Sequence, residues 1–414
     1  MKTNNDSLIV QLYGQIVGFL SLDEKDNIYF EYEDEFKNSG LEISPIKLPL
    51  ETTAVYNNSD DRFFEGLAGV FFDSLPDKFG NEVIKRFYAK KGINEYELSS
   101  IQKLAYIGKT GMGALEYIPN EPTEILKESL EIKSLVDDAR KIIKGDITVA
   151  IPELISSGGS AGGARAKAVI QWNKTTNEIV SGRLPFKKGF ENYLIKFDGV
   201  GKDYVPADYG KVEYIYMKIA KELDLNVADV EIFHERDFSH LLVKRFDIIE
   251  DKKIHMHSLC GLTHTNFNIP GSYSYEEYLR VVEYLTKDRQ QLESAFIHML
   301  YNVITCNQDD HTKNFSFLMD EKGVWKTAPL YDITYNKGND YTAKHQMSIN
   351  GKRDDFSIED IKAVSKMFSI GSDKEIEELV KNIKEYFISR FKQEAKNLKV
   401  DKKKIEKVIK NSRF

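Results

Sequence analysis

The stretch TCNQDDHTKNFSFLM, from Thr305 to Met319, places two adjacent acids, a histidine, a lysine and two asparagines directly before an apolar segment. These ionisable and amide side chains lie within the eight residues from Asn307 to Asn314. Carboxylate and carboxamide oxygens crowd together where a protein holds a hard cation or accepts a proton. The rest of the sequence has to decide between such a site and an ordinary solvated loop.

The composition is that of a folded protein. The chain has 414 residues, of which 41% are hydrophobic and 12% aromatic, enough for two or three domains with packed cores. A formal net charge of −7 argues against direct binding to nucleic acid. We find no apolar signal region and no membrane-spanning apolar run, so we predict a cytoplasmic protein with no membrane contact.

Neither cysteines nor histidines form a recognisable metal or disulfide pattern. Cys260 and Cys306 give neither a disulfide framework nor a zinc pattern. His255 and His257, in IHMHSL, resemble a metal pair, but no third ligand has a suitable spacing.

The predicted elements run from strands to helices along the chain. Residues 7–33 and most of 166–247 have strand patterns, with one helix at 210–225. Residues 60–92 have helical spacing broken at Pro76, and the polar helical segment 121–145 is predicted to link two units. Helices dominate after Ser274, a predicted N-cap. We predict three parts, residues 1–125, 126–247 and 248–414.

The acidic stretch lies between a predicted buried helix and a predicted hairpin. The apolar face of that helix consists of Leu292, Phe296, Met299, Leu300, Val303 and Ile304. In the hairpin, FSFLM is one strand, DEKG the turn and VWKTAPLYD the returning strand. The return should bring Asp332 beside Asp309 and Asn314, within reach of one magnesium ion. Asp-x-x-x-x-Asn, a hairpin and a second Asp form the phosphoryl-transfer arrangement of kinases.

Other interpretations of the acidic stretch remain open at this point. Each acid taken singly is compatible with a solvated loop. A two-metal nuclease or phosphatase also uses clustered carboxylates, but it does not explain the glycine-rich segment upstream. That segment, ISSGGSAGGARAKAVI (155–170), has four glycines in six residues, and its backbone N–H groups can cradle phosphate. It is neither a Walker motif nor the usual kinase glycine loop, and a flexible linker is the alternative.

A strand lysine and a helix glutamate complete the order expected of a kinase. Lys196 lies in the apolar strand pattern NYLIKFDG, and kinases use such a lysine, paired with a helix glutamate, to bind nucleotide phosphates. Glu213, near the start of the next helix, is in the right order to be that partner. An exposed lysine and an exposed glutamate are the alternative interpretation.

Together these motifs resemble the HipA family of type II toxin–antitoxin serine/threonine kinases. SAGGARAKAVI resembles its phosphate loop, NQDDHTKNFSFL its catalytic motif and APLYDI its metal motif. YLIKF and LLVKRFD match its strand lysine and the segment linking the lobes, and VQLYGQIVGFLSL with YFEYEDEF resembles its small N-terminal β unit. The resemblance implies an α+β, two-lobed protein-kinase-like fold. Its N-lobe would be β-rich with an extra N-terminal β unit, and its C-lobe mainly helical.

The resemblance also assigns roles to individual residues. Asp309 becomes the catalytic aspartate, His311 its neighbour at the phosphate, and Asn314 and Asp332 the metal ligands. The nucleotide-binding positions become Ser160, Gly162, Gly163, Ala164, Arg165 and Lys167 in the loop, Lys196 with Glu213, Lys244, Arg245 and Phe246 at the lobe link, and Tyr331. For Phe246 and Tyr331 we expect packing to be the main role.

Ser160 matches the serine that family members autophosphorylate in the phosphate loop. The sequence ARAK replaces the Gln-Glu-Lys or Arg-Pro-Lys versions of this loop, although Arg165 and Lys167 can still neutralise phosphate. Ser156 and Ser157 are alternative phosphorylation positions. We expect a phosphate on Ser160 to repel the phosphates of ATP and expel the loop.

The implied function is an ATP- and magnesium-dependent serine/threonine-protein kinase that acts as a toxin. The implied partners are a small HipB-like helix-turn-helix antitoxin, through which DNA is reached indirectly, and a protein substrate such as an aminoacyl-tRNA synthetase. The alternatives are a non-catalytic corepressor that binds the antitoxin, and a small-molecule kinase of the aminoglycoside-kinase type. The intact motif residues favour catalysis, and the N-terminal β unit with Ser160 favours a protein kinase.

Overall fold

The computed structural model describes residues 7–52, 55–121, 130–143, 166–200 and 207–414. The chain divides into two compact units. Unit 1 comprises Met1–Pro206, Phe233–His264 and Leu318–Val324, and unit 2 comprises Ala207–Ile232, Thr265–Phe317 and Trp325–Phe414. The three-part boundaries drawn from the sequence, after residues 125 and 247, remain predictions.

Most of the strands lie in unit 1. In chain order, β1 to β15 are Ser7–Leu12, Gln15–Leu22, Ile28–Tyr32, Tyr56–Asn57, Glu116–Ile118, Lys167–Asn173, Glu178–Ser181, Glu191–Lys196, Val230–Glu235, Phe238–Lys244, Ile248–Ile249, Lys252–Lys253, His255–Ser258, Ser316–Met319 and Trp325–Thr327. Two five-stranded sheets have the orders β4-β3-β2-β1-β5 and β7-β6-β8-β10-β9. All strand patterns predicted between residues 166 and 247 are therefore confirmed.

The first hairpin follows directly from its turn residues. Tyr13 and Gly14 both have positive φ, 52° and 78°, as a two-residue turn between antiparallel strands requires. In β2, Gly18 allows β3 to approach, because a Cβ there would lie 2.1 Å from the carbonyl oxygen of Glu31. The strand patterns predicted for residues 7–33 are confirmed.

The helices complete both units. They lie at Asp34–Lys37, Gly69–Phe72, Lys78–Lys90, Ser100–Ile107, Ile132–Ile143, Tyr209–Glu222, Leu259–Thr263, Tyr275–Thr286, Arg289–Thr305, Ile358–Met367, Asp373–Asn397 and Lys402–Asn411. The predicted break at Pro76 is confirmed, because the next helix begins after it with Asp77 as the N-cap. None of the helices in the described ranges is long and apolar enough to cross a membrane.

Helix Ile132–Ile143 belongs to the core of unit 1. Its Leu135, Val136 and Ala139 are buried in one cluster with side chains of helix Lys78–Lys90 and of the second sheet. The interpretation of this segment as a polar link between units did not anticipate this packing. Six of its twelve residues are apolar and five are charged, so its composition alone does not distinguish a link from a core helix.

His255 and His257 connect distant segments of unit 1. The Nε2 atom of His255 lies 2.8 Å from the carbonyl oxygen of Ile43. The ring of His257 bonds through Nδ1 to the Asp73 carboxylate (2.7 Å) and through Nε2 to the Ser44 hydroxyl (3.0 Å). Each ring therefore has its own partners. In the part of the chain that the structure describes, no group of three or more His, Cys, Asp or Glu residues is arranged to hold a metal ion.

Aromatic side chains fill the centre of unit 2. Tyr216 contacts Phe387 and Phe391 with ring centroids 5.0 and 5.8 Å apart. Its hydroxyl donates to the carbonyl oxygen of Thr305 at 2.8 Å, and the hydroxyl of Tyr301 donates back to the carbonyl oxygen of Tyr216 at 2.8 Å. These buried contacts fix the C-terminal end of helix Arg289–Thr305, and the acidic stretch follows directly after it.

The mainly helical character predicted for the last part of the chain is confirmed. Ser274 is an N-cap, as predicted, and it forms a capping box with Glu277. The predicted apolar face of helix Arg289–Thr305 is buried.

Acid should destabilise unit 1. Burial lowers the pKa of both His255 and His264 from 6.5 to about 4, and in the neutral form Nε2 of His264 accepts a hydrogen bond from the N–H of Gly69 (2.9 Å). Because the unfolded chain binds these protons at higher pH than the folded one, stability is complete above pH ~6.5 and falls towards pH ~4. We expect the urea midpoint of unit 1 to fall across this window.

Fluorescence of Trp172 in a Trp325→Phe background reports unfolding of unit 1. His264→Asn keeps an acceptor that does not titrate, at a position whose φ is 53°, and should flatten the pH dependence. The same change at the exposed His234 is the control and should leave the pH dependence unaltered. A midpoint that is constant from pH 7 to 4 in the parent protein would contradict the prediction.

Candidate active site

The acidic stretch leaves the helix in a fixed direction. Helix Arg289–Thr305 ends at Cys306, which has a left-handed φ of 60°. The next residue, Asn307, donates from its backbone N–H to the carbonyl oxygen of Asn302 (2.9 Å) and from its amide to the Asn302 side chain (3.0 Å). These bonds set the starting point for Asp309.

Asp309 and Asn314 are joined by a hydrogen bond in unit 2, where the charge of Asp332 also acts. The amide nitrogen of Asn314 donates to the carbonyl oxygen of Asp309 (2.9 Å), and the Asn314 backbone N–H donates to the carbonyl oxygen of His311 (2.9 Å). The hairpin of β14 and β15 then returns the chain, and Asp332 lies close enough to His311 for its charge to act on the ring. The placement of Asp332 beside Asp309 and Asn314 stays a prediction.

His311 is held neutral beside three carboxylates. Burial lowers the pKa of its imidazole and outweighs the opposing charges of Asp309, Asp332 and Asp310. Its Nε2 lies 3.9 Å from Oδ1 of Asp309, and its ring packs on Phe267 at 4.9 Å. A neutral imidazole can donate one hydrogen bond and accept another at this site without adding a positive charge. Its role beside a phosphate stays a prediction.

Asp310 is a structural residue that the sequence did not reveal. Its side chain is fully buried, and Oδ2 accepts from the Tyr275 hydroxyl and from His345 Nδ1, both at 2.7 Å. Oδ1 accepts from the backbone N–H of Gln346 at 2.7 Å. Burial alone would raise the pKa of Asp310, but the His345 ring and these hydrogen bonds lower it below its ordinary value. A buried ionised carboxylate thus anchors the residue next to Asp309.

Asn336 is a second residue that sequence reasoning missed. Its amide nitrogen donates to Oδ2 of Asp309 at 3.0 Å. The hydroxyl of Tyr331 donates to the carbonyl oxygen of Lys313 (2.9 Å) and contacts the Ser316 hydroxyl (2.6 Å), and its expected packing role stays a prediction. An asparagine three to five residues after the APLYDI motif would have been the only signal for Asn336.

The donor set suits a hard divalent cation. The amide nitrogen of Asn314 is engaged by Asp309, and within the described residues its amide oxygen accepts no hydrogen bond. Asp332 has a left-handed φ of 57°, a conformation that non-glycine residues adopt rarely and that clusters at functional sites. An amide oxygen and a carboxylate, completed by phosphate oxygens and water, are the ligands that magnesium takes in phosphoryl-transfer sites.

The predicted nucleotide-binding residues that the structure describes belong to both units. Lys196 ends β8 in unit 1 and is buried, and Glu213 is fully buried in helix Tyr209–Glu222 of unit 2. Their pairing stays a prediction. Lys167, at the start of β6, forms a buried ion pair of 2.8 Å with Asp77. A phosphate contact by Lys167 stays a prediction.

Side chains of the predicted lobe link form ion pairs and hydrogen bonds with residues of unit 1. Lys244 pairs with Glu191 at 3.1 Å. The buried guanidinium of Arg245 donates hydrogen bonds to both carboxylate oxygens of Asp247 and to the carbonyl oxygen of Gly111 (3.1 Å). The backbone N–H of Arg245 is already used within the sheet, donating to the carbonyl oxygen of Asn192 (2.9 Å). The adenine contact predicted for the backbone of Lys244 to Phe246 stays a prediction.

Outside the described residues lie Ser156, Ser157, Ser160, Gly162, Gly163, Ala164 and Arg165.

Two family models match the sequence. The model of the HipA-like C-terminal domain matches residues 159–395, and that of the HipA N-terminal domain matches residues 8–118. The chain belongs to the HipA family. The resemblance drawn from the motifs is thereby confirmed, and it extends over both parts of the chain.

Relatives and a solved structure agree with this assignment. The serine/threonine-protein kinase toxin HipA of Shewanella oneidensis is 24% identical over 381 residues, covering 85% of this chain and 80% of that protein. The protein Y4mE of Sinorhizobium fredii is 24% identical over 344 residues, covering 77% and 75%. A solved complex of Shewanella oneidensis HipA, HipB and operator DNA matches with a TM-score of 0.67 and 18% identity, over 98% of this chain and 95% of that chain. This likeness confirms the predicted α+β, kinase-like fold.

Removing the Asp310 carboxylate should destabilise unit 2. Asp310→Ala leaves His345, Tyr275 and the N–H of Gln346 buried without their acceptor, and each such unpaired group costs about 1–3 kcal/mol of unfolding free energy. Asp309→Ala, at the adjacent position, removes the carboxylate that accepts from Asn336 and should lower the unfolding free energy by about 1 kcal/mol. Urea unfolding followed by Trp325 fluorescence in a Trp172→Phe background measures both. Equal losses for the two variants would show that Asp310 is not the anchor.

Proposed function

We propose that this HipA-family protein is an ATP- and magnesium-dependent serine/threonine-protein kinase and the toxin of a type II toxin–antitoxin pair. The observation that carries the proposal is the hydrogen bond that joins Asn314 to Asp309 in one loop of unit 2, with Asp332 near enough for its charge to act on His311. Support comes from the family models and from the name of the Shewanella relative.

Each residue of the proposed site has its own role in phosphoryl transfer. When bound, magnesium and ATP supply charge neutralisation and the transferable phosphoryl group. Asp309 orients a serine or threonine hydroxyl and accepts its proton. Asn314 and Asp332 offer the oxygen ligands for the metal, and Lys196 offers a positive charge to the phosphates. Positioning and electrostatics therefore provide most of the catalysis.

An antitoxin is the partner that we propose for this protein. The solved structure that matches the chain in fold contains HipA, HipB and operator DNA. We infer a HipB-like, DNA-binding antitoxin here as well. With a net charge of −7, this chain would reach DNA indirectly, through that partner. The protein substrate is an open part of the proposal.

The metal assignment can be tested at Asp332. Asp332→Asn keeps the side-chain shape and tolerates the left-handed backbone, but it removes the anionic ligand. We expect magnesium-dependent ATP turnover to fall at least about 100-fold, because charge neutralisation is a main source of rate in phosphoryl transfer. Release of ADP by the purified variant, with circular dichroism as a check of folding, measures the effect.

Asp355→Asn is the matched control for this experiment. Asp355 is exposed in the same unit and also has a left-handed φ, 51°. It should keep wild-type turnover. Wild-type turnover by the folded Asp332→Asn variant would remove Asp332 from the metal site.

Autophosphorylation is predicted at Ser160. A phosphate there adds about −1.5 to −2 charges in the segment proposed to bind the phosphates of ATP, so the modified protein should bind ATP more weakly. Mass spectrometry of wild-type protein and of an Asp309→Gln variant from the same host should find phosphate on Ser160 in the wild type only. Phosphate on Ser156 or Ser157 instead, or unaltered ATP binding by phosphorylated protein, would refute this prediction.

A further inference from the structure

Asn336 is fixed against the acidic stretch by its backbone. Its N–H donates to the carbonyl oxygen of Cys306 (3.2 Å), and its carbonyl oxygen accepts from the N–H of Gln308 (3.0 Å). These two bonds form a parallel bridge on either side of Asn307. The Cα atom of Asn336 is thereby held beside the peptide groups that directly precede Asp309.

From this position the side chain reaches the carboxylate of Asp309. Nδ2 of Asn336 lies 3.0 Å from Oδ2, while Oδ1 of the same carboxylate lies 3.9 Å from Nε2 of His311. A neutral amide donor restricts the rotation of a carboxylate without introducing a positive charge. A lysine or arginine in this place would stabilise the ionised form and make Asp309 a weaker base.

We propose that Asn336 is a positioning residue that holds Asp309 in the orientation needed to accept the proton of the substrate hydroxyl through Oδ1. This inference rests on the proposed kinase function. Proton transfer requires the base within hydrogen-bond reach of the hydroxyl, and misplacement by about 1 Å can lower the rate about 100-fold. One amide that turns one carboxylate is therefore sufficient to change kcat.

The geometry allows this role to be separated from a structural one. The backbone bridge of Asn336 persists with any side chain except proline. The loop also has an independent anchor in Asp310, through Tyr275, His345 and Gln346. Loss of the Asn336 amide should therefore free the carboxylate of Asp309 without releasing the loop.

Three variants of Asn336 test the proposal. Asn336→Leu has a similar volume and no donor, and Asn336→Asp has a similar shape but places a second carboxylate beside Asp309. Asn336→Gln keeps the amide on a side chain one methylene longer and serves as the conservative rescue. Turnover is measured as initial ADP release with MgATP as the probe, together with the urea midpoint of unit 2.

Asn350 provides a matched control. Its Nδ2 donates to Oδ1 of Asp360 at 2.8 Å, so Asn350→Asp introduces the same change against another carboxylate of unit 2. This control should retain wild-type kcat.

We expect Asn336→Leu to lower kcat about 10–100-fold, in line with the loss of groups that orient reactive side chains. KM for ATP should change less than about twofold, and the urea midpoint should stay close to that of the wild type. Asn336→Asp should lose at least as much activity, and Asn336→Gln should recover part of it.

Three results would overturn the inference. If Asn336→Leu keeps kcat within about twofold of a turning-over wild type, Asn336 does not position Asp309 and the proposed kinase function stands. If kcat falls only together with the urea midpoint, and Asn350→Asp behaves in the same way, the amide has a structural role. If the wild type shows no MgATP turnover, the proposed function fails, and the inference that rests on it fails too.

Discussion

The buried carboxylate of Asp310 orders the loop on which the site depends. Burying an ionised carboxylate is costly unless hydrogen bonds and a partner compensate for the lost water. The partners here are Tyr275, His345 and Gln346, 35 or 36 residues away along the chain. The folded state of unit 2 therefore needs all of these groups in place together, and the loop is fixed before any ligand binds.

Two adjacent aspartates owe their different roles to their surroundings. The side chain of Asp309 is 35% exposed and meets a neutral amide, whereas that of Asp310 is fully buried against an imidazole. A partly solvated carboxylate with a neutral donor can still exchange a proton with a substrate group, but one enclosed by buried hydrogen bonds cannot reach one. Environment divides the work between neighbouring acids, as it does in other sites with paired carboxylates.

Local patterns in the sequence predicted much of this structure. The N-cap at Ser274, the break at Pro76 and the hairpin around DEKG depend on turn and capping chemistry within a few residues. The spacing of Asp309, Asn314 and Asp332 likewise depends on one loop and one hairpin. These features were predictable because the residues that determine them are close neighbours in the chain.

Contacts between distant residues could not be predicted in this way. Asp310 is indistinguishable in sequence from a solvated acid, and nothing near Lys167 indicates that Asp77 is its buried partner. Asn336 meets Asp309 only because two segments run parallel beside the end of a helix. A single charged or amide residue carries no local signal of its partner, so a sequence pattern identifies its type but not its contact.

In both units, a buried side chain joins two distant segments through hydrogen bonds. His257 joins Asp73 to Ser44 in unit 1, much as Asp310 joins Tyr275 to His345 in unit 2. Apolar packing tolerates small shifts between neighbouring segments, whereas a buried directional hydrogen bond is lost when its partners move and leaves costly unpaired groups. Such bonds therefore fix segments to within fractions of an ångström. A phosphoryl-transfer site needs that accuracy because its rate depends on positioning more than on covalent chemistry.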